Sequence, residues 1–389
     1  MKKIEFNKEI GSKLRTSREK LGMTLEQVSK LVGFSNYQSL SNIESGKRSI
    51  KVQELSSLVK IYCTDIECIL LNKREKPVTV LWRNGSETPQ AKQKEQEFIE
   101  ICRNYDLMEK KCGLEPNEEY KTIGFERQKL DYESVKKIAN KFVKCYGFGD
   151  MPSYSLEKIL EENLGIKIIY LDLGGIGSAA STIGEFGAAI LVNKRQAPWR
   201  IKFNIAHEFF HIITWDIVNK EEIRCREKEG NIIEKLANSF ASSLLLPEKP
   251  VIEEVNKKVK DNEISFSDFI YIARKFCVST EAFLWRLVDL GICDAGGIKK
   301  SLEEGIIKSL DKEKRRNDWY TVEFPIISER YVYLALKCFV KGLISKGKLA
   351  EFLRVERAEL PKLLGSYGYN EEGERDIACT VSSRHRYSS

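Results

Sequence analysis

Two histidines four residues apart, with a glutamate directly after the first, form the chemically most informative pattern in the chain. They are His207, Glu208 and His211, within the run Phe203-Asn-Ile-Ala-His-Glu-Phe-Phe-His. Four residues are slightly more than one helical turn, so on a helix both imidazoles project from one face at a metal-binding separation. Glu208 would flank that metal and accept a proton from water. The pattern predicts a Zn2+ site with one coordination position left open.

A catalytic zinc site needs a third protein ligand, and the sequence offers few. The chain has three histidines, and His385 lies in a polar C-terminal stretch, so a carboxylate is required. Glu234 supplies it on a second predicted helix, where Glu234, Ala237, Asn238 and Ala241 share one face. Small alanines let this helix approach the first one closely. Asn238, one turn after Glu234, is the group expected to orient a ligand from outside the metal's coordination shell.

The two motifs together resemble the ImmA/IrrE family of metallopeptidases. The resemblance spans roughly residues 130 to 290. It is carried by two motifs, Arg200-x-x-Phe-x-x-Ala-His-Glu-x-x-His and Glu234-x-x-Ala-Asn-x-Phe-Ala, the second followed by Leu-Pro247. Asn204 stands where the family usually has Thr, and Phe210 where it often has Gly. Neither is a ligand position. An isolated His-Glu-x-x-His pattern also occurs by chance, so the alternative is two structural histidines on a helix.

The resemblance implies more than the residues do. It implies a gluzincin-like set of metal ligands, His207, His211 and Glu234, with Glu208 as the catalytic carboxylate. It also implies a regulatory endopeptidase that cleaves a protein substrate, typically a helix-turn-helix repressor.

The segments before the motif predict the elements that position it. Residues 132–146 and 155–164 have helical periodicity, and residues 166–171 and 188–192 are short, apolar and strand-like. A strand at 188–192 is expected to lie beside the cleft and to bind substrate by β-augmentation. Residues 175–180 match a dinucleotide-binding glycine pattern, but a strand-like run follows them instead of the required helix. A loop between strands is therefore predicted there.

The first 72 residues have the pattern of four or five short helices. An apolar stripe ends at Gly22, Thr24 begins a second helix with Gln27 completing a capping box, Ser35 opens a third, and a fourth runs from 52 to 62. Two short helices joined by a glycine-containing turn place the second one in a DNA major groove. The residues predicted to contact DNA are polar or basic: Asn36, Gln38, Ser39, Ser41, Asn42, Lys47 and Arg48.

This segment resembles the Xre/Cro/C1-type helix-turn-helix family over about 65 residues, through Thr24-Leu-Glu-Gln-Val-Ser and Leu40-Ser-Asn-Ile-Glu-Ser-Gly-Lys-Arg. Between Gly33 and Glu44 the chain has one residue more than the usual pattern. Residues 1–74 hold 14 Lys and Arg against 8 Asp and Glu, which is nearly all of the chain's net charge of +7. Clustered positive charge attracts phosphates and favours double-stranded DNA as a partner. The alternative is a helical bundle that contacts other proteins. Because helix-turn-helix proteins of this family commonly dimerise, a homodimer is expected.

Composition and length complete the prediction. No apolar run approaches the ~20 residues that span a bilayer, the N-terminus lacks a signal-peptide core, and ten scattered cysteines favour free thiols in the cytoplasm. The predicted fold is α+β. The predicted divisions are a helix-turn-helix bundle at 6–72, a connection at 73–130, a zincin-like domain at 131–295, a helical C-terminal region at 296–369 and a disordered tail at 370–389.

Three functions remain compatible with this sequence. The first is a regulatory zinc endopeptidase joined to a DNA-binding domain. The second is a non-proteolytic transcriptional regulator whose zincin domain senses or binds a partner. The third is a toxin–antitoxin component. Glu208 favours the first, because a structural metal site needs no proton acceptor beside an open position.

Overall fold

The structure is a computed structural model. It describes residues 2–62, 64, 66–70, 78–83, 88–121, 130–218, 232–261, 263–305, 309 and 327–367. The predicted tail at 370–389, with His385, and parts of the predicted connection lie outside these residues. The chain divides into two compact units, one of residues 1–102 and 116–326 and the other of residues 103–115 and 327–389.

Five helices form the N-terminal bundle. They are α1 (Lys2–Lys20), α2 (Leu25–Val32), α3 (Tyr37–Glu44), α4 (Val52–Tyr62) and α5 (Ile66–Leu70). The predicted capping box is present, because Thr24 Oγ1 accepts from the N–H of Gln27 while the Gln27 side chain accepts from the N–H of Thr24. Gly33 ends α2 with a φ of 85°, a conformation that glycine adopts without steric cost.

The third helix begins one residue later than expected. Asn36 is its N-cap, not Ser35, because the Asn36 carboxamide oxygen accepts from the N–H of Ser39 at 3.2 Å. The bundle has its own apolar core, centred on Leu14, Val28, Leu40 and Leu58, each fully buried.

A four-stranded mixed sheet forms the frame of the second domain. Its strands are β1 (Val80–Arg83), β2 (Lys167–Leu171), β3 (Ala179–Gly184) and β4 (Gly187–Asn193), in the order β1-β3-β4-β2. β3 is antiparallel to both β1 and β4, whereas β2 and β4 are parallel. Residues 175–180 lead directly into β3, so the glycine pattern is followed by a strand.

Two features of the sheet differ from the sequence-based expectation. β4 contains the predicted strand at 188–192, but it pairs with β3 on one side and β2 on the other. It therefore has no open edge, and the prediction that it binds substrate by β-augmentation is wrong. An edge strand, β1, comes instead from the predicted connection and aligns Arg83 with Ala179.

Further helices follow along the chain. They are α6 (Pro89–Lys111), α7 (Tyr132–Cys145), α8 (Leu156–Lys158, continued by a π-helical turn at Ile159–Asn163), α9 (Pro198–Ile213), α10 (Ile232–Leu245), α11 (Glu248–Asn256), α12 (Phe266–Lys275), α13 (Thr280–Asp289) and α14 (Ala295–Glu303). α9 packs on β3 and β4, and α10 packs between α9 and α7. One apolar core joins the sheet with α7 to α14.

The second unit consists of the C-terminal end of α6 with α15 (Glu329–Val340), α16 (Lys346–Leu353) and α17 (Leu360–Ser366). Arg330 on α15 donates to Glu109 at 2.6 Å and to the Tyr105 hydroxyl at 3.1 Å. The predicted α+β class, with a helical N-terminal bundle and a helical C-terminal region, is confirmed. Within the described residues, none of the helices combines the length and the apolar character that crossing a membrane requires.

Candidate metal centre and nucleic-acid interface

Helix α9 carries the histidine motif through the middle of the core. Pro198 occupies its first turn, where a missing N–H costs no hydrogen bond. His207, Glu208 and His211 all have 0% exposure, and ligand atoms of these three residues lie within 4.8 Å of one another. Polar groups that are buried so completely need partners. The helix therefore places three titratable side chains where their hydrogen-bonding partners must be one another or nearby polar groups.

Glu234 on α10 faces the two imidazoles. Its Oε2 lies 3.1 Å from Nε2 of His207, and its Oε1 lies 3.4 Å from Nε2 of His211. The two Nε2 atoms are themselves 3.1 Å apart. Ala237 and Ala241, both fully buried, stand on the side of α10 that meets the core, where small side chains permit close helix packing. The structure thus brings together the three residues that the sequence nominated as ligands.

Asn238 determines which nitrogen of His207 carries the proton. The Asn238 Oδ1 lies 2.9 Å from Nδ1 of His207. The same oxygen accepts from the guanidinium of Arg83 at 3.3 Å, which fixes the orientation of the amide. Because a carboxamide oxygen only accepts, Nδ1 of His207 must be the donor. In the neutral ring Nε2 then has a lone pair directed toward Glu234 and His211.

Glu208 is held differently from Glu234. The Ser181 hydroxyl, on β3, donates to Oε2 of Glu208 at 2.6 Å, and both side chains are buried. Glu234 contacts both imidazoles, whereas Glu208 is tied to the sheet by this hydrogen bond. The two carboxylates therefore occupy distinct positions around the histidine pair. This arrangement is consistent with one ligand and one proton acceptor.

Arg83 lies at the centre of a polar network that no motif in the sequence singled out. Besides Asn238, it donates to Oδ1 of Asn204 at 2.7 Å, and its guanidinium lies 5.8 Å from the ring centre of Phe203. Asn204 in turn donates to Gln196 at 2.6 Å. Arg83 and Ser181 stand 124 and 26 residues before His207 in the numbering, so only the pairing of β1 with β3 could reveal them.

The electrostatics favour a neutral His207 imidazole beside an ionised Glu234 carboxylate. Burial, and next the positive charge of Arg83, lower the pKa of His207 to about 4. Burial alone would raise the pKa of Glu234, but the close polar contacts of its carboxylate with His207 and His211 hold that pKa well below the usual carboxyl range. Two imidazole nitrogens and one carboxylate form a donor set of the type that binds Zn2+. The residues present therefore fit a zinc ion.

The predicted DNA-contacting residues lie on and around α3. Asn36, Gln38 and Lys47 are exposed, while Ser39, Ser41, Asn42 and Arg48 are half-buried. Arg48 donates to Glu54 at 2.5 Å and lies over the ring of Phe34, so it also has partners inside the bundle. Tyr37, at the start of α3, is 48% exposed and adds an aromatic side chain to this surface. No pattern in the sequence singled it out.

Comparisons with known proteins agree with both halves of this description. Residues 14–66 match the family model described as helix-turn-helix, and residues 161–288 match the model described as the IrrE N-terminal-like domain, which is a metallopeptidase family. These matches confirm the expected fusion of an Xre-type helix-turn-helix to an ImmA/IrrE-type peptidase domain. No curated protein matches the chain.

Proposed function

We propose that this protein is a regulatory zinc-dependent endopeptidase with a DNA-binding domain. His207, His211 and Glu234 are the metal ligands, Glu208 is the catalytic carboxylate and Asn238 orients His207. The convergence of two imidazoles and a carboxylate within 3.4 Å, in a buried site next to a second carboxylate, is the observation that carries this proposal.

The roles follow from what each side chain contacts. A bound zinc ion would supply Lewis acidity, lowering the pKa of water and polarising the scissile carbonyl. Glu208, anchored by Ser181, accepts the proton of the attacking water and returns it to the leaving amine. The hydrogen bond to Asn238 keeps the Nε2 lone pair of His207 available as a ligand.

A peptide substrate fits the outer edge of β1. This strand pairs with β3 on one side only, and no other strand of the described residues pairs with it. Its last residue, Arg83, reaches the side chain that orients His207. An extended peptide that added to β1 by main-chain hydrogen bonds would therefore run close to the metal centre.

The substrate is proposed to be a helix-turn-helix repressor or a similar regulatory protein, as the ImmA/IrrE resemblance implies. The N-terminal bundle would bind double-stranded DNA and hold the peptidase near such a protein. Its clustered positive charge supports this role.

The experiment combines purified protein, zinc and candidate repressors, and compares the wild type with Glu208→Gln. We expect the substitution to reduce cleavage by about 10²–10⁴-fold without loss of bound zinc, because Glu208 is not a ligand. Glu253→Gln, an exposed carboxylate on α11, is the matched control and should cleave like the wild type. Equal cleavage by both proteins, or none by either with any candidate, would refute the peptidase proposal. The non-proteolytic regulator and the toxin–antitoxin component would then be favoured.

A further inference from the structure

A cavity of about 750 Å³ opens beside the metal centre. Its walls come from the end of β1, the first half of α9, one face of α10 and helix α13. This volume is within the range of pockets that bind small ligands or several side chains. The histidines and Glu234 are not among its lining residues, so the metal centre occupies a separate position behind the cavity wall.

One layer of side chains separates the cavity from His207. Asn238 lines the cavity and bonds the His207 ring at 2.9 Å. Arg83 and Asn204 line it as well, and Arg83 donates to both asparagines. Asn238 is therefore the side chain that lies between a group bound in the cavity and the His207 ring.

Aromatic side chains form two of the cavity walls. Trp199 and Phe203 come from α9, and Trp285 comes from α13 with 41% of its surface exposed. From α10 the cavity receives Asn238 and the short side chains of Ser239 and Ser242. Tryptophan side chains left open to solvent around a concave surface are typical of binding anchors. Short side chains on the third wall leave room for a large planar group.

We propose that this cavity, which we call the aromatic cleft, binds a large aromatic side chain of the peptide substrate close to the bond that is cleaved. The inference rests on the proposed peptidase function, because that function supplies the substrate. The aromatic cleft would select substrates by stacking the incoming ring against Trp199 and Trp285. Such aromatic pairs add about 0.5–1.5 kcal/mol to the effect of burial alone.

The first test uses the chain's five tryptophans as reporters. Zinc-loaded Glu208→Gln protein is labelled with 5-fluorotryptophan, and each ¹⁹F signal is assigned from a single Trp→Phe variant. The protein is then titrated with N-acetyl-Gly-Phe-Gly-amide and, separately, with N-acetyl-Gly-Ala-Gly-amide. We expect the phenylalanine peptide alone to shift the signals of Trp199 and Trp285, while the buried Trp215 stays unchanged. If the Trp199 and Trp285 signals do not move, or if both peptides shift them equally, the proposal that the aromatic cleft binds an aromatic side chain is wrong.

The second test changes the walls. Trp285→Ala and the cavity-filling Ala282→Phe should each weaken binding of the phenylalanine peptide about tenfold. Tyr271→Ala removes a more exposed ring (56%) from outside the cavity, and Ala295→Phe enlarges an exposed alanine, so both should bind like the parent. Zinc content and melting temperature report whether each variant is folded. Unchanged binding by both wall variants would contradict the proposal.

These measurements need no turnover, so they separate the cleft from the peptidase activity. If the Glu208→Gln comparison fails while the aromatic peptide still shifts Trp199 and Trp285, the proposed enzyme is refuted and the binding site stands. If substrate cleavage is established but the wall variants change neither peptide binding nor cleavage, the cleft is refuted and the enzyme stands.

Discussion

The carboxamide oxygen of Asn238 accepts two hydrogen bonds, from the ring of His207 and from the guanidinium of Arg83. The first sets the tautomer of a proposed ligand, and the second prevents the amide from turning its NH2 group toward the ring. One uncharged side chain thus determines that Nε2 of His207, and not Nδ1, has the free lone pair.

Replacing Asn238 should therefore affect metal binding directly. We expect Asn238→Ala to weaken zinc binding by about 10–100-fold, measured by competition with a chelator of known affinity. Asn238→Asp keeps an acceptor at this position and should retain most of the affinity. Ser239→Ala, on the same helix, serves as the control. Equal zinc affinity in the alanine variant and the wild type would mean that Asn238 does not orient the ligand.

At the scale of elements, a buried ion pair fixes α1 against α3. Arg18 donates through two nitrogens to Glu44, at 2.7 and 2.8 Å, and the two side chains are 11% and 5% exposed. The same guanidinium donates to the carbonyl of Met23 at 2.9 Å in the turn before α2. One arginine thereby joins α1, α3 and the turn before α2 in the DNA-binding bundle.

Breaking this pair should destabilise the bundle. Glu44→Gln removes one charge and leaves the buried Arg18 guanidinium without the carboxylate of α3, for which we expect a loss of about 3 kcal/mol in local unfolding free energy. Hydrogen exchange of the α1 and α3 amides in the full chain measures the effect. The exposed Glu9, which pairs with Lys13 on α1, provides the control Glu9→Gln and should change exchange little. Similar exchange in both variants would show that the buried pair is not stabilising.

The third helix offers a second test at this scale. If α3 contacts DNA, Lys47→Ala should weaken binding to all sequences alike and reduce the slope of log K against log salt concentration by about 1. Gln38→Ala should instead reduce discrimination between sequences. Lys249→Ala, exposed on α11 outside the bundle, is the matched control. Salt-independent binding, or none, would favour the protein-contact alternative for this domain.

At the scale of the whole molecule, zinc should stabilise only the domain that binds it. The proposed ligands come from α9 and α10, which share one core with the sheet and α7, whereas α1 to α5 enclose a separate core. At a hundredfold excess over Kd, zinc should add about 2.7 kcal/mol to the unfolding free energy of the first of these domains. Hydrogen exchange should then slow in α9 and α10, and a chelator should reverse the change. Uniform slowing that includes α1 to α5 would contradict independent cores.

The sequence by itself determined the local features of this protein. Periodicity and caps predicted α2, α4 and α7 closely, because helix formation depends on neighbours within one turn. The spacing of His207 and His211 predicted their common face for the same reason. The periodicity of a single helix identified Glu234 as the candidate third ligand and Asn238 as the candidate orienting residue.

The tertiary structure decided everything that depends on pairing between distant segments. β4 was expected to be open to substrate, but β2 and β3 occupy both of its edges, and the open edge belongs to β1 from a stretch with little pattern of its own. That pairing brings Arg83 to Asn238 and Ser181 to Glu208. Strand order and register are set by contacts between residues far apart in the sequence, and local sequence patterns do not reveal those contacts.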